Sequence, residues 1–147
     1  MTGREYLEGL RSIRRRVRSL QESYNTLKYD MYALQALNYE RERVSGTPPQ
    51  TEVMDLNLLE ALEQRKAELV SEWAALLRWR ADAMQYIGAI ANDNYRIILV
   101  SRYVNGKSWE TVSKTIGYSR AQVDRIHHKA MKAFCEIFYS KTKDETE

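Results

Sequence analysis

The feature that most constrains the fold is an uninterrupted heptad pattern near the start of the 147-residue chain. From Tyr6 to Leu34 apolar residues follow one another at alternating steps of four and three, with no proline and with no glycine after Gly9. Such a pattern places one apolar stripe along an α-helix. A helix from Tyr6 to Asn38 would be about 50 Å long at 1.5 Å per residue. It cannot bury its stripe alone, so the pattern requires partner helices.

A second helical run is predicted from about Val53 to Ala91, after a break at residues 45–51 that contains both prolines. Residues 1–91 therefore predict a long helical hairpin or coiled coil with a loop at about residues 45–52. The apolar stripe of the second run is wide, which indicates more than one neighbour. We expect a homodimer or a small homo-oligomer, and the alternative is a monomeric hairpin packed on the C-terminal domain. The expected interface residues are Leu10, Ile13, Val17, Leu20, Tyr24, Leu27, Met31, Leu34, Leu69, Trp73 and Leu76.

Residues 92–140 predict a small helix-turn-helix domain, and residues 141–147 a polar tail. Ser108 is placed to cap one short amphipathic helix, and Gly117 follows its end, where the backbone commonly turns left-handed. Ser119 then offers a new N-cap, with Gln122 three residues on, as a capping box requires. A tight glycine turn followed by a longer helix is the arrangement that places a recognition helix in the DNA major groove. The predicted fold class is all-α throughout.

The distribution of charge agrees with a DNA-binding module at the C-terminal end. The whole chain carries 23 Lys and Arg against 20 Asp and Glu. Residues 95–135 hold eight basic and two acidic residues, whereas residues 45–94 hold four basic and eight acidic ones. A chain close to neutral that concentrates positive charge in one module favours nucleic acid as the partner of that module.

Several of these residues also resemble a known family. Residues 95–103 (Tyr-Arg-Ile-Ile-Leu-Val-Ser-Arg-Tyr), Trp109, the segment Ile116-Gly-Tyr-Ser119, and then Val123, Ile126 and Ala130 resemble region 4 of bacterial sigma-70-type factors. That region recognises a promoter element upstream of the transcription start. The whole chain, with its Tyr- and Arg-rich first helix, resembles small phage proteins of the RinA and ArpU type, which activate late-gene transcription. The chain has no aromatic-rich promoter-melting region, so a complete sigma factor is not expected.

The resemblance implies a transcription activator that binds double-stranded DNA at a promoter-like site and acts with bacterial RNA polymerase in the cytoplasm of the bacterial host. Two other classes stay open. A small terminase subunit also joins a helix-turn-helix to oligomerising helices, and it forms a ring of many copies. An RNA-polymerase-binding adaptor would use the region 4 shape to contact protein without reading DNA.

The residues expected to contact DNA follow from the helical periodicity of residues 119–134. With Val123, Ile126, Ala130 and Phe134 facing the core, the residues that point away from it are Ala121, Asp124, Arg125, His128 and Lys132. Arg120 and Gln122 lie on the flanks of the exposed first turn, which enters the groove in this motif. Arginine can bond guanine with two hydrogen bonds, glutamine can pair with adenine, and lysine holds phosphates. The expected base contacts are Arg120, Ala121, Gln122, Asp124, Arg125 and His128, and the resemblance to region 4 points to four of them: Arg120, Ala121, Asp124 and Arg125. The expected backbone contacts are Lys107, Ser108, Lys114, Ser119, Lys129 and Lys132.

A second basic cluster, Arg14-Arg15-Arg16 with Arg18, lies in the first helix. It has two interpretations. The arginines could contact the DNA backbone beside the site, or they could be the solvated flanks of a heptad whose core is Ile13 and Val17. The second interpretation is favoured, because arginine is ordinary at flanking positions.

Other classes of protein and site are not expected. The sequence contains no Gly-rich phosphate loop and no nucleophile motif, so neither an enzyme with catalytic residues nor a bound cofactor is predicted. His127, His128 and Cys135 are too few for a structural zinc site, which uses four ligands. The single cysteine and the lack of an 18-residue apolar run or an apolar signal core favour a cytoplasmic protein without a membrane segment.

Overall fold

A computed structural model describes residues 1–46 and 56–146. All regular elements in these two ranges are helical, which confirms the all-α prediction. They are α1 (Gly3–Ser45), α2 (Leu56–Gly88), α3 (Asp93–Leu99), a π-helical segment (Val100–Val104), α4 (Trp109–Ile116) and α5 (Arg120–Asp144). Most of the loop predicted at about residues 45–52 lies outside the described residues. None of the described helices is long and apolar enough to cross a lipid bilayer.

Helix α1 is longer than the heptad pattern predicts, and its first turn shows why it begins early. The Thr2 N–H donates to Glu5 Oε2 at 2.8 Å, and the Glu5 N–H donates to Thr2 Oγ1 at 3.2 Å. This reciprocal pair is a capping box, which satisfies amide groups that the first turn leaves without partners. The helix then continues past Asn38 to Ser45, where Gly46 adopts a positive φ of 71°.

The chain divides into two compact units, which we call the paired-end unit (residues 1–15 and 75–147) and the middle unit (residues 16–74). The predicted boundary between residues 91 and 92 falls inside the paired-end unit, because the start of α1 packs with the end of the chain. Independent folding of residues 92–140 stays a prediction. The predicted polar tail begins within α5, since that helix continues to Asp144.

The core of the paired-end unit is partly aromatic and centres on Tyr6. Its ring lies 5.4 Å from the Trp79 ring and 5.1 Å from the Phe138 ring, and Tyr86 and Phe134 complete the group. The Tyr6 hydroxyl donates to the Trp79 carbonyl at 3.3 Å, so its polar atom has a partner inside the cluster. Aromatic rings in such edge and tilted arrangements are stabilised beyond their area burial. Residues from α1, α2 and α5 are thereby held in one unit.

The middle unit consists of the rest of α1 and the first part of α2. An exposed ion pair joins them, with Arg16 Nη2 at 3.4 Å from Glu72 Oε2. Among its described residues, the buried apolar side chains are Val17, Met31 and Leu69. The two helices therefore contact each other in this unit with few buried side chains.

The residues predicted at an oligomer interface divide by burial. Six of them are buried by their own chain, where a second copy cannot reach them without opening the helix pair: Leu10, Ile13, Val17, Met31, Leu69 and Leu76. Leu20, Tyr24 and Leu27 are half-buried, whereas Leu34 and Trp73 are exposed. The heptad pattern identifies the apolar seam, but this seam is filled mainly within the chain because α2 lies along it.

Candidate nucleic-acid interface

The turn between α4 and α5 has the geometry that the sequence predicts. The Ser108 side chain caps α4 by accepting from the Thr111 N–H. Gly117 ends α4 in the left-handed region at φ 80°, and its N–H donates to the Ser113 carbonyl. Glycine tolerates this conformation without a steric penalty. The two helices are therefore joined by a short turn with defined geometry, as a helix-turn-helix requires.

Beneath the turn lies a small apolar core that fixes how α5 is rotated. Ile98 of α3, Val112 of α4 and Val123 of α5 are fully buried and pack together. The partly buried side chains of Trp109, Ile116 and Ile126 surround them. Because one residue of each helix is locked inside, the opposite face of α5 is held toward the surface.

Of the six residues predicted to contact bases, Ala121, Asp124, Arg125 and His128 point away from the core, and Arg120 and Gln122 lie on the flanks of the first turn. Each of them is exposed: Arg120, Ala121, Gln122, Asp124, Arg125 and His128. On the other side of the helix Val123, Ala130 and Phe134 have no exposed surface. The structure thus brings the predicted residues together on the first turns of α5, and the contact of each with DNA stays a prediction.

Gln122 has a structural task that competes with base pairing. Its Oε1 accepts from the Ser119 N–H at 3.2 Å, and its own N–H donates to Ser119 Oγ at 3.3 Å. Together these bonds form the predicted capping box. Pairing with adenine needs the amide oxygen and nitrogen of glutamine at once. Gln122 would therefore have to leave the cap in order to read adenine.

Arg120 is held in place by two contacts. Its Nε lies 3.4 Å from Asp124 Oδ1, one helical turn away, and its guanidinium carbon lies 5.0 Å from the centre of the Trp109 ring. A cation over the face of tryptophan is attracted by the ring quadrupole. In the described structure Asp124 therefore orients a neighbouring arginine.

A second arginine, Arg102, lies over the Trp109 ring, and the sequence did not identify it as a residue of the interface. The guanidinium carbon of Arg102 lies 4.5 Å from the centre of the same ring, and its Nη1 donates to the Lys107 carbonyl at 3.1 Å. Burial lowers the pKa of Arg102, and the nearby Arg11 charge lowers it further. Periodicity could not find Arg102, because it lies in the π-helical segment, where the 100° rotation per residue does not hold.

Arg125 and His128 are placed differently from Arg120. Within residues 1–46 and 56–146, Arg125 forms no ion pair, hydrogen bond or ring contact, and its side chain is exposed. His128 is exposed as well. Arg125 is thus the candidate that can approach a base edge without first breaking a contact inside the protein.

The predicted phosphate-binding residues surround this face. Lys107, Lys114, Lys129 and Lys132 are exposed, and Lys114 Nζ lies 3.5 Å from Glu110 Oε1. The two serines predicted for the same role, Ser108 and Ser119, serve as helix caps. A capping serine marks a helix N-terminus, where backbone amides favour anions.

Behind the interface the two adjacent histidines face opposite ways. Tyr103 is buried, and its hydroxyl lies 2.9 Å from His127 Nε2, while His127 packs edge-on against the Trp109 ring at 4.6 Å. Burial, followed by the Arg4 charge, lowers the pKa of His127, and burial raises the pKa of Tyr103 to about 12. Both shifts favour the neutral forms, so this hydrogen bond joins an uncharged imidazole to an uncharged phenol.

The first arginine of the α1 cluster is neither a solvated flank nor free for DNA. Arg14 Nη1 donates to the Val104 carbonyl at 2.7 Å, and its side chain fills the space beside Gly106. Val104 ends the π-helical segment, so its carbonyl has no helical partner and accepts from a cation favourably. This contact corrects the favoured interpretation for Arg14, whereas Arg15 and Arg18 are exposed as that interpretation predicts.

No family model, no curated protein and no solved structure matches this chain.

Proposed function

We propose that this protein is a sequence-specific regulator of transcription that binds double-stranded DNA with α5 as its recognition helix. The observation that carries the proposal is the outward face of α5, where Asp124, Arg125 and His128 are exposed and point away from fully buried Val123, with exposed Arg120 on its flank. A helix that is fixed by its core and presents polar side chains from its first turns fits the major groove.

The side chains on this face have distinct chemical abilities. Arg125 can bond O6 and N7 of guanine together, and Ala121 can contact the methyl group of thymine. Arg120 reaches the groove from the Trp109 ring, which limits the orientations of its guanidinium. The surrounding lysines would bind phosphates, and these contacts give affinity and register but carry no sequence information.

The finer proposal concerns the biological setting. We propose that the regulator activates phage late genes at a promoter-like site and acts with bacterial RNA polymerase, and the resemblance to region 4 and to the RinA and ArpU type supports this. We also propose that two copies associate through the middle unit. Support for association is its exposed apolar side chains: Tyr29, Tyr32, Leu34, Leu37, Tyr39, Val44, Leu56, Val70 and Trp73. Apolar surface on this scale is typical of a surface that a partner covers.

The test is selection of bound duplexes from a random pool, with the full chain as bait. A regulator should enrich one short motif, and a homodimer should enrich two half-sites at fixed spacing. Light scattering on the same preparation separates a dimer from the many-copy ring of a terminase subunit. Binding without enrichment would contradict sequence reading, and a lack of binding to every duplex would favour the adaptor.

A further inference from the structure

The first turns of α1 carry a basic stripe that the proposed recognition helix does not explain. Arg4, Glu8 and Arg11 follow at steps of four and three, so at 100° per residue they share one face of the helix. Arg4 and Glu8 are exposed and Arg11 is half-buried. The stripe borders the face that buries Leu7 and Leu10 in the core of the paired-end unit.

This stripe lies beside the interface just described. Arg14, one turn beyond Arg11, is hydrogen-bonded to the Val104 carbonyl and packs beside Gly106, in the loop that leads into α4. The electrostatics also place Arg11 close to Arg102, because after burial the Arg11 charge is the largest influence that lowers the pKa of Arg102. The start of α1 and the arginines on Trp109 therefore belong to one surface of the paired-end unit.

The charges on this surface are mostly of one sign. Arg4, Arg11, Arg102 and Arg120 lie close enough to influence one another or the groups between them, and Glu8 is an acid within the stripe. Among the residues that the structure describes, neither Arg4 nor Arg11 forms an ion pair. Because Glu8 and Asp124 are outnumbered by these arginines, the surface has a positive potential that an anion relieves.

We propose that Arg4 and Arg11 bind phosphates of the DNA backbone next to the segment that α5 reads, so that α1 forms part of the DNA-binding surface. The inference rests on the proposed function and adds a second element to it. It differs from the sequence-based interpretation of residues 14–18, because the phosphate contacts are assigned to the two arginines that precede that cluster. The phosphate backbone fits these residues, since arginine binds phosphate through two parallel hydrogen bonds.

The experiment measures binding of the full chain to a short mixed-sequence duplex by fluorescence anisotropy over a series of salt concentrations. Each phosphate contact adds about 0.9 to the slope of log K against log salt. Arg4→Ala with Arg11→Ala should therefore flatten this slope by about 1.8. The matched control, Arg41→Ala with Arg43→Ala in the middle unit, removes the same charge and should leave the slope unchanged.

Two further variants separate phosphate binding from a structural role. Arg4→Lys with Arg11→Lys should keep the slope, because lysine also binds phosphate as a point charge. Glu8→Gln should strengthen binding at low salt several-fold, since it removes the acidic group from the stripe. Far-UV circular dichroism of each variant should match that of the parent.

The outcomes distinguish this inference from the function on which it rests. If the parent chain binds the duplex and the double alanine variant has the same slope as the control, the α1 contacts are overturned while DNA binding stands. If Glu8→Gln weakens binding, the phosphate assignment is likewise overturned. A parent chain that binds no duplex overturns both proposals together.

Discussion

The paired-end unit and the middle unit differ in how they cover their apolar side chains. In the paired-end unit large residues such as Phe134, Leu7 and Ile87 are almost completely enclosed. In the middle unit Tyr29 is 72% exposed and Leu37 is 69% exposed. One unit thus uses its apolar residues internally, and the other displays many of them.

The difference follows from the number of helices that meet. Two helices share a single seam, so side chains away from that seam stay in solvent unless another element covers them. The paired-end unit brings together segments of α1, α2 and α5, and side chains on several faces find neighbours. One heptad-patterned helix can therefore have its apolar side chains buried by neighbouring helices at one end and exposed at the other.

The largest expected effect comes from removing a ring from the dense core. Phe134→Ala leaves a cavity among Tyr6, Tyr86 and Phe138 and should lower the free energy of unfolding by about 3–5 kcal/mol. Met31→Ala, its counterpart in the middle unit, should cost about 2 kcal/mol. Urea unfolding measures both changes, and equal losses would break the contrast between the units.

A single methyl group tests how closely the paired-end unit is packed. A Cβ on Gly9 would lie 2.7 Å from Cη2 of Trp79, so the ring would have to move. Gly9→Ala should cost about 1–3 kcal/mol, even though alanine favours the helix by about 1 kcal/mol. The control is Gly88→Ala, because nothing lies within 4 Å of its added Cβ. A thermal melt that shows Gly9→Ala to be as stable as the control would mean that the contact is loose.

Recognition of a specific DNA sequence should depend on side chains of the paired-end unit and not on those of the middle unit. Arg125→Ala should weaken binding to the selected duplex by about 1–3 kcal/mol, because a bidentate contact with one base is lost. Binding to a scrambled duplex should fall much less. Arg65→Ala, an exposed arginine of the middle unit, should change neither value. Competition binding measures the affinity of each variant for each of the two duplexes. Equal losses on both duplexes for Arg125→Ala would show that this residue does not contact a base specifically.

The pH dependence of stability should also arise in the paired-end unit, since it contains both histidines of the chain. Burial holds the pKa of His127 below its ordinary value of 6.5. As pH falls below about 6.5, the unfolded chain binds a proton at this histidine before the folded chain does. The stability that neutral His127 contributes is therefore present above that pH and is lost as pH falls through the folded-state pKa. Between pH 7.5 and pH 5 the free energy of unfolding should fall less for His127→Gln than for the parent chain. A decline of the same size in both would assign the effect to other groups.

The smallest effect is expected at an exposed residue of the middle unit. At concentrations where the chain is monomeric, Leu37→Ser should change the free energy of unfolding by less than about 0.5 kcal/mol. If two copies associate through this surface as proposed, the same substitution should cost more at higher protein concentrations and weaken association. Unfolding curves at two protein concentrations, read with sedimentation data, check this. An identical small effect at both would argue against association through this surface.

Much of the local structure was accessible from the sequence. Ser108, Gly117 and Ser119 act where the capping rules place them, because caps depend on a few neighbouring residues. The exposed face of α5 followed from regular helical rotation. The position of Arg14 could not be predicted in this way, since its partner carbonyl lies 90 residues further along the chain. The π-helical segment was also missed, because an i to i+5 turn leaves no apolar repeat to recognise.

The aromatic core around Tyr6 has a consequence for the time course of folding. Phe134 and Phe138 are synthesised more than a hundred residues after Tyr6 and Leu7, with which they share this core. At about 5–20 residues per second, the ribosome takes about ten seconds to supply them. During that interval the start of α1 can pack against α2 and against the segment that ends at Val104, but not against α5. The core can close only after Phe134 and Phe138 have been synthesised, so the recognition face of α5 and the stripe on α1 are brought together in that same step.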